Sequence, residues 1–278
     1  MHFPTQRVLS ASASLRTAKS CSSYHASTLF TLIALSRGSM CGTLAHCVCS
    51  RSLLRPELDE STRFEYILQM WQRMAGGKKF DYDNKVYLSE KSEPYTNKAL
   101  ACLMRAKNAF PANTDIEQTL RFYFMCCSLE SDTDRLSIVA ATLANNGVNP
   151  LTGDRVLSTI TVKETLSIMN CCGMYDYSGE FAFEIGMPAK SGVAGGIIVV
   201  VPGIMGFCTY SPPLDSCGNS ARGVQFCRLL SQRLKLHQFV LEEDPLLSAG
   251  VNNNHFQLLD FASKGNLIKL KKTIEVIM

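Results

Sequence analysis

From Gly196 to Cys208 the chain runs through thirteen residues without one charged or amide side chain, interrupted only by Pro202-Gly203 and Gly206. A stretch this apolar is buried on both sides, and a Pro-Gly pair at its middle stops a helix or a single continuous strand. Gly195–Val201 and Ile204–Thr209 therefore read as the two strands of a buried antiparallel hairpin turning at Pro202-Gly203. The run is also too short to cross a bilayer, which takes about 20 apolar residues in a helix, and no membrane span is expected elsewhere.

Most of what precedes the hairpin has helical periodicity. Phe64, Ile67, Leu68, Trp71 and Met74 recur at helical spacing, and Gly76 is placed to end that helix. Asn97–Lys107 repeats the pattern with Leu100, Leu103 and Met104 on one face. Thr114-x-x-Glu117 predicts a capping box ahead of Ile116–Cys127, and Thr161-x-x-Glu164 a second one ahead of Thr165–Cys172. Ser131–Asn145 reads as a helix with Leu136, Val139, Ala140 and Leu143 inward, ending at Gly147. After the hairpin, Asn219–Leu236 is amphipathic and closes the unit. Helices, then strands, then a helix predict an α+β fold, a helical subdomain beside an antiparallel sheet.

The two ends differ from this middle. All 24 carboxylates fall after residue 56, against 22 of the 28 basic residues. Residues 1–60, Ser-rich, Arg-bearing and free of acid until Glu57, have the composition of a mitochondrial transit peptide, or of an alternative exon or misassigned start, and are expected to be poorly packed. The remainder is nearly neutral, which argues against a nucleic-acid footprint. Residues 241–278 open with Asn252–Asn254. They then carry Phe256–Leu270, in which Ala262-x-x-Gly265 resembles the back half of an ankyrin-like helix pair, one repeat where about three are needed for stability. The expected partition is 1–60, 61–240 and 241–278.

The chemistry is constrained by what is missing. The five histidines are His2, His25, His46, His237 and His255, so residues 47–236 contain none. That excludes a Ser-His-Asp triad or a His-ligated metal within the body. None of the 12 cysteines has C-x-x-C spacing, and most of them read as small buried hydrophobes in a reducing compartment. No metal or organic cofactor is implied. Proton transfer falls to Lys, Tyr or a carboxylate. Lys190-Ser191-Gly192, entering the buried strands, is the strongest candidate: an ammonium, a hydroxyl and a residue that lets substrate come close. Tyr175, just after a helix end, is the second. Tyr175 alone would read as a turn tyrosine packed on the sheet.

Several longer runs occur together. Ser89-Glu90 with Asn97, Phe122-Tyr123-Phe124, Val139-Ala-Ala-Thr-Leu-Ala-Asn145, Cys172-Gly-Met-Tyr-Asp176, Pro188-Ala-Lys-Ser-Gly-Val-Ala-Gly-Gly196 and Ser211-Pro-Pro-Leu-Asp215 resemble, in order, the animal kidney- and liver-type glutaminases. The resemblance covers about residues 64–240. It implies a partial serine β-lactamase-like fold and hydrolysis of L-glutamine to L-glutamate and ammonia. It implies that Glu90 and Asn97 recognise the α-amino and α-carboxylate groups, and that Tyr123 lines the pocket. By the same resemblance Tyr175 moves protons, the Val193 backbone helps form the oxyanion hole, and Lys190, Ser191 and Gly192 frame that strand. A homo-oligomer or assembly with full-length subunits, and a mitochondrial matrix location with the cytoplasm as alternative, are implied too. The family's nucleophile is the Ser of a Ser-x-x-Lys motif, and no lysine in this chain has a serine three residues before it. The expectation is a chain unable to catalyse alone. The alternatives are a non-catalytic glutaminase-like subunit and, on Lys190-Ser191-Gly192 only, another serine acylase.

Overall fold

The computed structural model describes residues 57–106, 110 and 113–239. The segment 1–56 and the ankyrin-like tail lie outside them. The chain opens with α1 (Glu60–Met74), a short strand β1 (Asp81–Tyr82), α2 (Asn84–Ser92) and α3 (Tyr95–Ala106). It continues through α4 (Ile116–Cys127), β2 (Leu129–Glu130), α5 (Thr133–Ala144) and α6 (Thr159–Cys172). A 3₁₀ turn (Tyr175–Tyr177) leads into α7 (Ser178–Glu184), then β3 (Ala189–Ser191), β4 (Gly196–Val201), β5 (Met205–Tyr210) and α8 (Ala221–Leu234).

The hairpin is where the apolar run places it. β4 pairs antiparallel with β5 from Gly196↔Tyr210 to Val201↔Met205, and β3 adds to its other edge with Lys190 opposite Ile198. The two faces of β4 enter different cores. Ile198 and Val200 pack with Trp71, Phe122, Val139, Leu143 and Met169 of the helical layer. Ile197, Val199 and Val201 pack with Met174, Phe181 and Ile185 below, and with Val224, Cys227 and Leu234 of α8. Glycine permits a close crossing: a Cβ on Gly206 would stand 2.1 Å from the Ala140 carbonyl carbon, so α5 rests almost directly on β5.

The helix ends follow capping chemistry, at positions shifted from the sequence expectation. α1 ends in a Schellman motif, with Gly76 at φ +68° and the Gly77 N–H donating to Gln72 O at 2.8 Å. The Thr114-x-x-Glu117 box does not form. Asp115 caps α4 instead, accepting from the Gln118 N–H at 3.0 Å, while Thr114 is buried and Glu117 pairs with Lys98. The second box is also displaced. Ser158 caps α6 by accepting from the Thr161 N–H at 3.1 Å, so the helix starts at Thr159 and Thr161 lies buried within it. On α3 the inner face is Leu100, Ala101 and Met104, with Leu103 38% exposed. The short helix α7 has no counterpart in the sequence reading.

Candidate functional site

The end of α6, the 3₁₀ turn and the strand β3 meet at one place, and Gly173 is the joint. Its N–H closes α6 on Met169 O at 3.0 Å, and its carbonyl accepts the Ser191 N–H at 3.0 Å. The same carbonyl accepts from the Lys190 ammonium at 3.3 Å. Lys190 is almost wholly buried at 5% exposure. It also donates to Ser191 O at 2.6 Å and lies 5.0 Å from the Tyr175 ring centroid, a cation–π arrangement. The Tyr175 hydroxyl donates to that same Ser191 carbonyl at 3.2 Å. Phenol and ammonium thus converge on one oxygen, with the Ser191 hydroxyl beside them buried and without a partner among the described residues.

Tyr175 holds a left-handed backbone, φ +55°. For a residue with a side chain this costs about 1–2 kcal/mol, so its surroundings must impose it. The Ser178 hydroxyl accepts from the Met174 N–H at 3.0 Å and donates to Tyr175 O at 2.7 Å. From across the chain, Asn219 Nδ2 donates to Met174 O at 3.2 Å. Asp215 closes one of the runs that resemble glutaminases, whereas Ser178 and Asn219 are given no role in the sequence reading. The Tyr175-x-x-Ser178 spacing is a signal that could have found Ser178; Asp215 and Asn219 join Tyr175 only through the fold.

Gly192 and Val193 lie in the tight turn between β3 and β4. The Gly192 N–H donates to Gly196 O at 2.8 Å, and the Gly195 N–H to Gly192 O at 2.9 Å. Gly195, at φ +98°, lets Ser211 O approach to where a Cβ would be 2.5 Å away. The Val193 N–H finds no acceptor among the described residues, the state of a donor available to a ligand oxygen.

Glu90, Asn97 and Tyr123 lie on three successive helices, α2, α3 and α4, with α2 and α3 both packed on α4. Glu90 and Asn97 are half-buried, and Tyr123 is buried at 2% exposure beside the Phe124 ring. The structure brings Tyr175, Lys190 and Ser191 into contact and puts Gly192 and Val193 in the turn directly after them.

Other groups around the sheet are structural. Burial pushes the Cys208 thiol to about 11 and Cys227 to about 12, so neither is a thiolate nucleophile at neutral pH. Among the described residues no three His, Cys, Asp or Glu side chains come together as a metal site. Glu184 ties the Tyr175 turn to α8: it accepts from Arg228 at 2.8 Å and from the Tyr177 hydroxyl at 2.9 Å. The Arg228 hydrogen bond, then that of Tyr177, holds its carboxyl below the usual glutamate value. Stability from such a depressed group is present above the unfolded-state value and is lost as pH falls through the folded one. Glu184→Gln is therefore expected to flatten the acid limb of stability below the ordinary glutamate range, read as urea midpoint against pH. An acid limb identical to wild type would show that this cluster contributes nothing there.

Helices packed on a short antiparallel sheet, with Lys190-Ser191-Gly192 at the strand end beside Tyr175, define a fold of the serine β-lactamase-like class. Solved structures share it. Mglu in its glutamate form superposes with TM-score 0.67 at 29% identity, over 78% of this chain and 56% of that one. Probable glutaminase ybaS superposes with TM-score 0.66 at 35% identity, over 72% and 63%. The glutaminase family model matches residues 34–239. Over 195 residues the chain is 43% identical to putative glutaminase 3 of Caenorhabditis elegans and 42% identical to the mitochondrial liver isoform of Mus musculus glutaminase. Each match covers 70% of this chain, and 33% and 32% of those proteins. A glutaminase of the cyanobacterium Nostoc sp. is 46% identical over 177 residues, 64% of this chain and 52% of that one. The chain belongs to the glutaminase family, and it spans about a third of the length of the animal relatives.

Proposed function

We propose that this chain carries the substrate-gripping and oxyanion side of a glutaminase site and binds L-glutamine or L-glutamate without turning it over alone. The observation that supports this most is the Tyr175–Lys190–Ser191 cluster leading into a turn whose Val193 N–H meets no acceptor among the described residues. In the proposed complex Glu90 accepts from the α-ammonium and Asn97 donates to the α-carboxylate. Tyr123 closes the pocket, and the Val193 N–H receives the oxygen that becomes negative when the amide carbon turns tetrahedral. Such a donor contributes about 3–4 kcal/mol to that step. When a nucleophile that this chain lacks adds to the amide carbon, Tyr175 carries that nucleophile's proton to the departing nitrogen, which leaves as ammonia while the acyl group stays on the nucleophile, and Lys190, Ser191 and Gly192 hold the strand end in place. The convergence of Glu90, Asn97 and Tyr123 with the Tyr175 cluster on one cavity is part of this proposal.

The absence of Ser-x-x-Lys favours a second role, a glutaminase-like subunit assembled with itself or with catalytically complete subunits. The domain partition 1–60, 61–240 and 241–278, the ankyrin-like tail and a mitochondrial destination complete the proposal. The acid-free start of the chain and the mitochondrial name of the mouse relative support that destination. Calorimetric titration of L-glutamate into chain 1–278 tests the pocket. Binding is expected, weakened about tenfold or more by Glu90→Gln, since a hydrogen bond to a charged group is worth about 1.5–3 kcal/mol. No binding by the wild-type chain, or an unaffected Glu90→Gln, overturns the pocket.

A further inference from the structure

We propose that Asn219 is a positioning residue for Tyr175, delivered to the tyrosine's backbone by a loop that Asp215 folds. The inference deepens the reading of Tyr175 as proton carrier and rests on it. Tyr175 sits at φ +55°, a conformation a non-glycine residue leaves unless held. Rotation back to the right-handed or extended region would swing the ring away from Lys190 and its hydroxyl off Ser191 O.

Two side chains oppose that rotation. Ser178 does so locally, within three residues of Tyr175. Asn219 acts from a distant part of the chain, through its bond to Met174 O, the carbonyl joined directly to the Tyr175 nitrogen.

The loop around Asn219 is built to reach that carbonyl. Asp215 Oδ1 accepts the N–H groups of Cys217 and Asn219, both at 2.9 Å. The Asp215 N–H donates to Asn219 O at 2.8 Å, and the Gly218 N–H donates to Asp215 O at 3.0 Å. Gly218 faces the ring: a Cβ built there would stand 3.8 Å from Tyr175 Cδ2 and Cε2. One short loop thus runs beside the tyrosine ring and bonds the carbonyl that precedes its backbone. Asn219 is fully buried, and its Oδ1 has no partner among the described residues. Its Nδ2–H reaches Met174 O, the contact on which the positioning role rests.

The test uses the full chain labelled with meta-fluorotyrosine, the Tyr175 fluorine signal being assigned by its loss in Tyr175→Phe. Asn219→Asp keeps the shape and removes the donor; Asn219→Ala removes both. In each folded variant the Tyr175 signal is expected to move toward its position in the urea-unfolded chain, the other tyrosine signals staying in place. The dissociation constant for L-glutamate is expected to rise about tenfold. A lower urea midpoint with an unmoved Tyr175 signal would reduce Asn219 to a packing residue and overturn the proposal. Should Asn219→Ala not fold, the near-isosteric Asn219→Asp decides by the same signal. A moved signal in a chain whose wild type binds no glutamate would uphold the positioning role and sink the glutamine reading. An unmoved signal in a chain that binds glutamate would do the reverse.

Discussion

Given L-glutamine, purified chain 1–278 is expected to release ammonia about a millionfold more slowly than a complete serine amidohydrolase of its family, the loss that follows removal of a hydrolase's nucleophile. In a Ser-x-x-Lys pair on a helix, the lysine lies one turn after the serine on the same face and can take its proton. Each lysine here is preceded three residues earlier by something other than serine; for Lys190 that residue is Met187, and for Lys163 it is Ile160. The buried thiols do not substitute, because desolvation keeps Cys208 and Cys227 protonated. The Lys190 ammonium is already engaged with the Gly173 and Ser191 carbonyls, poorly disposed to act as a base toward a serine elsewhere. A coupled glutamate assay measures the outcome. Turnover at a rate typical of the family would mean that another hydroxyl attacks, and the Ser191 Oγ, buried and without a partner among the described residues, would be the first to remove.

Replacing Gly173 with alanine is expected to be among the most damaging single changes in the described part of the molecule. Its φ is ordinary, so the obstacle is space rather than backbone conformation. A Cβ would stand 1.8 Å from Ala189 O and 2.4 Å from Met169 O, both backbone atoms that cannot step aside as a side chain would. Either β3 moves off the end of α6, which pulls Ser191 and Lys190 from the Gly173 carbonyl, or α6 loses its closing bond. One inserted methyl in a well-packed place costs about 1–3 kcal/mol, and a collision with two strands of backbone belongs at the top of that range or beyond. Gly179 is the internal control. A Cβ there meets nothing within 4 Å, and Gly179→Ala is expected to be neutral or to stabilise α7 by about 0.5–1 kcal/mol. Urea unfolding of the two variants side by side checks this. Equal midpoints would mean that the junction yields far more easily than its geometry implies.

The hairpin was legible because an unbroken apolar run with Pro-Gly at its centre admits few folds. The same continuity hid its sidedness: with both faces of β4 buried there is no alternation from which to tell Ile198 from Ile197. Helix interiors were readable from spacing, whereas their starts were misplaced. Thr114 and Asp115 are both acceptable caps, and the choice was made by burial of the first. Ser158 likewise stood three residues ahead of a threonine that looked equivalent. A helix as short as α7 has too few turns to show a period. In the site, the runs that resemble glutaminases named Tyr175, Lys190, Ser191 and Val193, and the first three are in contact. The left-handed turn at Tyr175 carried no glycine or asparagine to announce it, and the hold that Asn219 has on it spans 45 residues of sequence.

One strand, β4, serves as a party wall between two compartments: Val200 belongs to one interior and Val199, its neighbour in sequence, to the other. Each compartment supplies one side of the same backbone, so losing the packing of one is expected to weaken the other. A disturbance deep among the helices, at Trp71 or Leu143, is felt on the side where Ala189 leads into Lys190 and the tyrosine turn. The chemistry-bearing edge therefore inherits its rigidity from residues that never approach it.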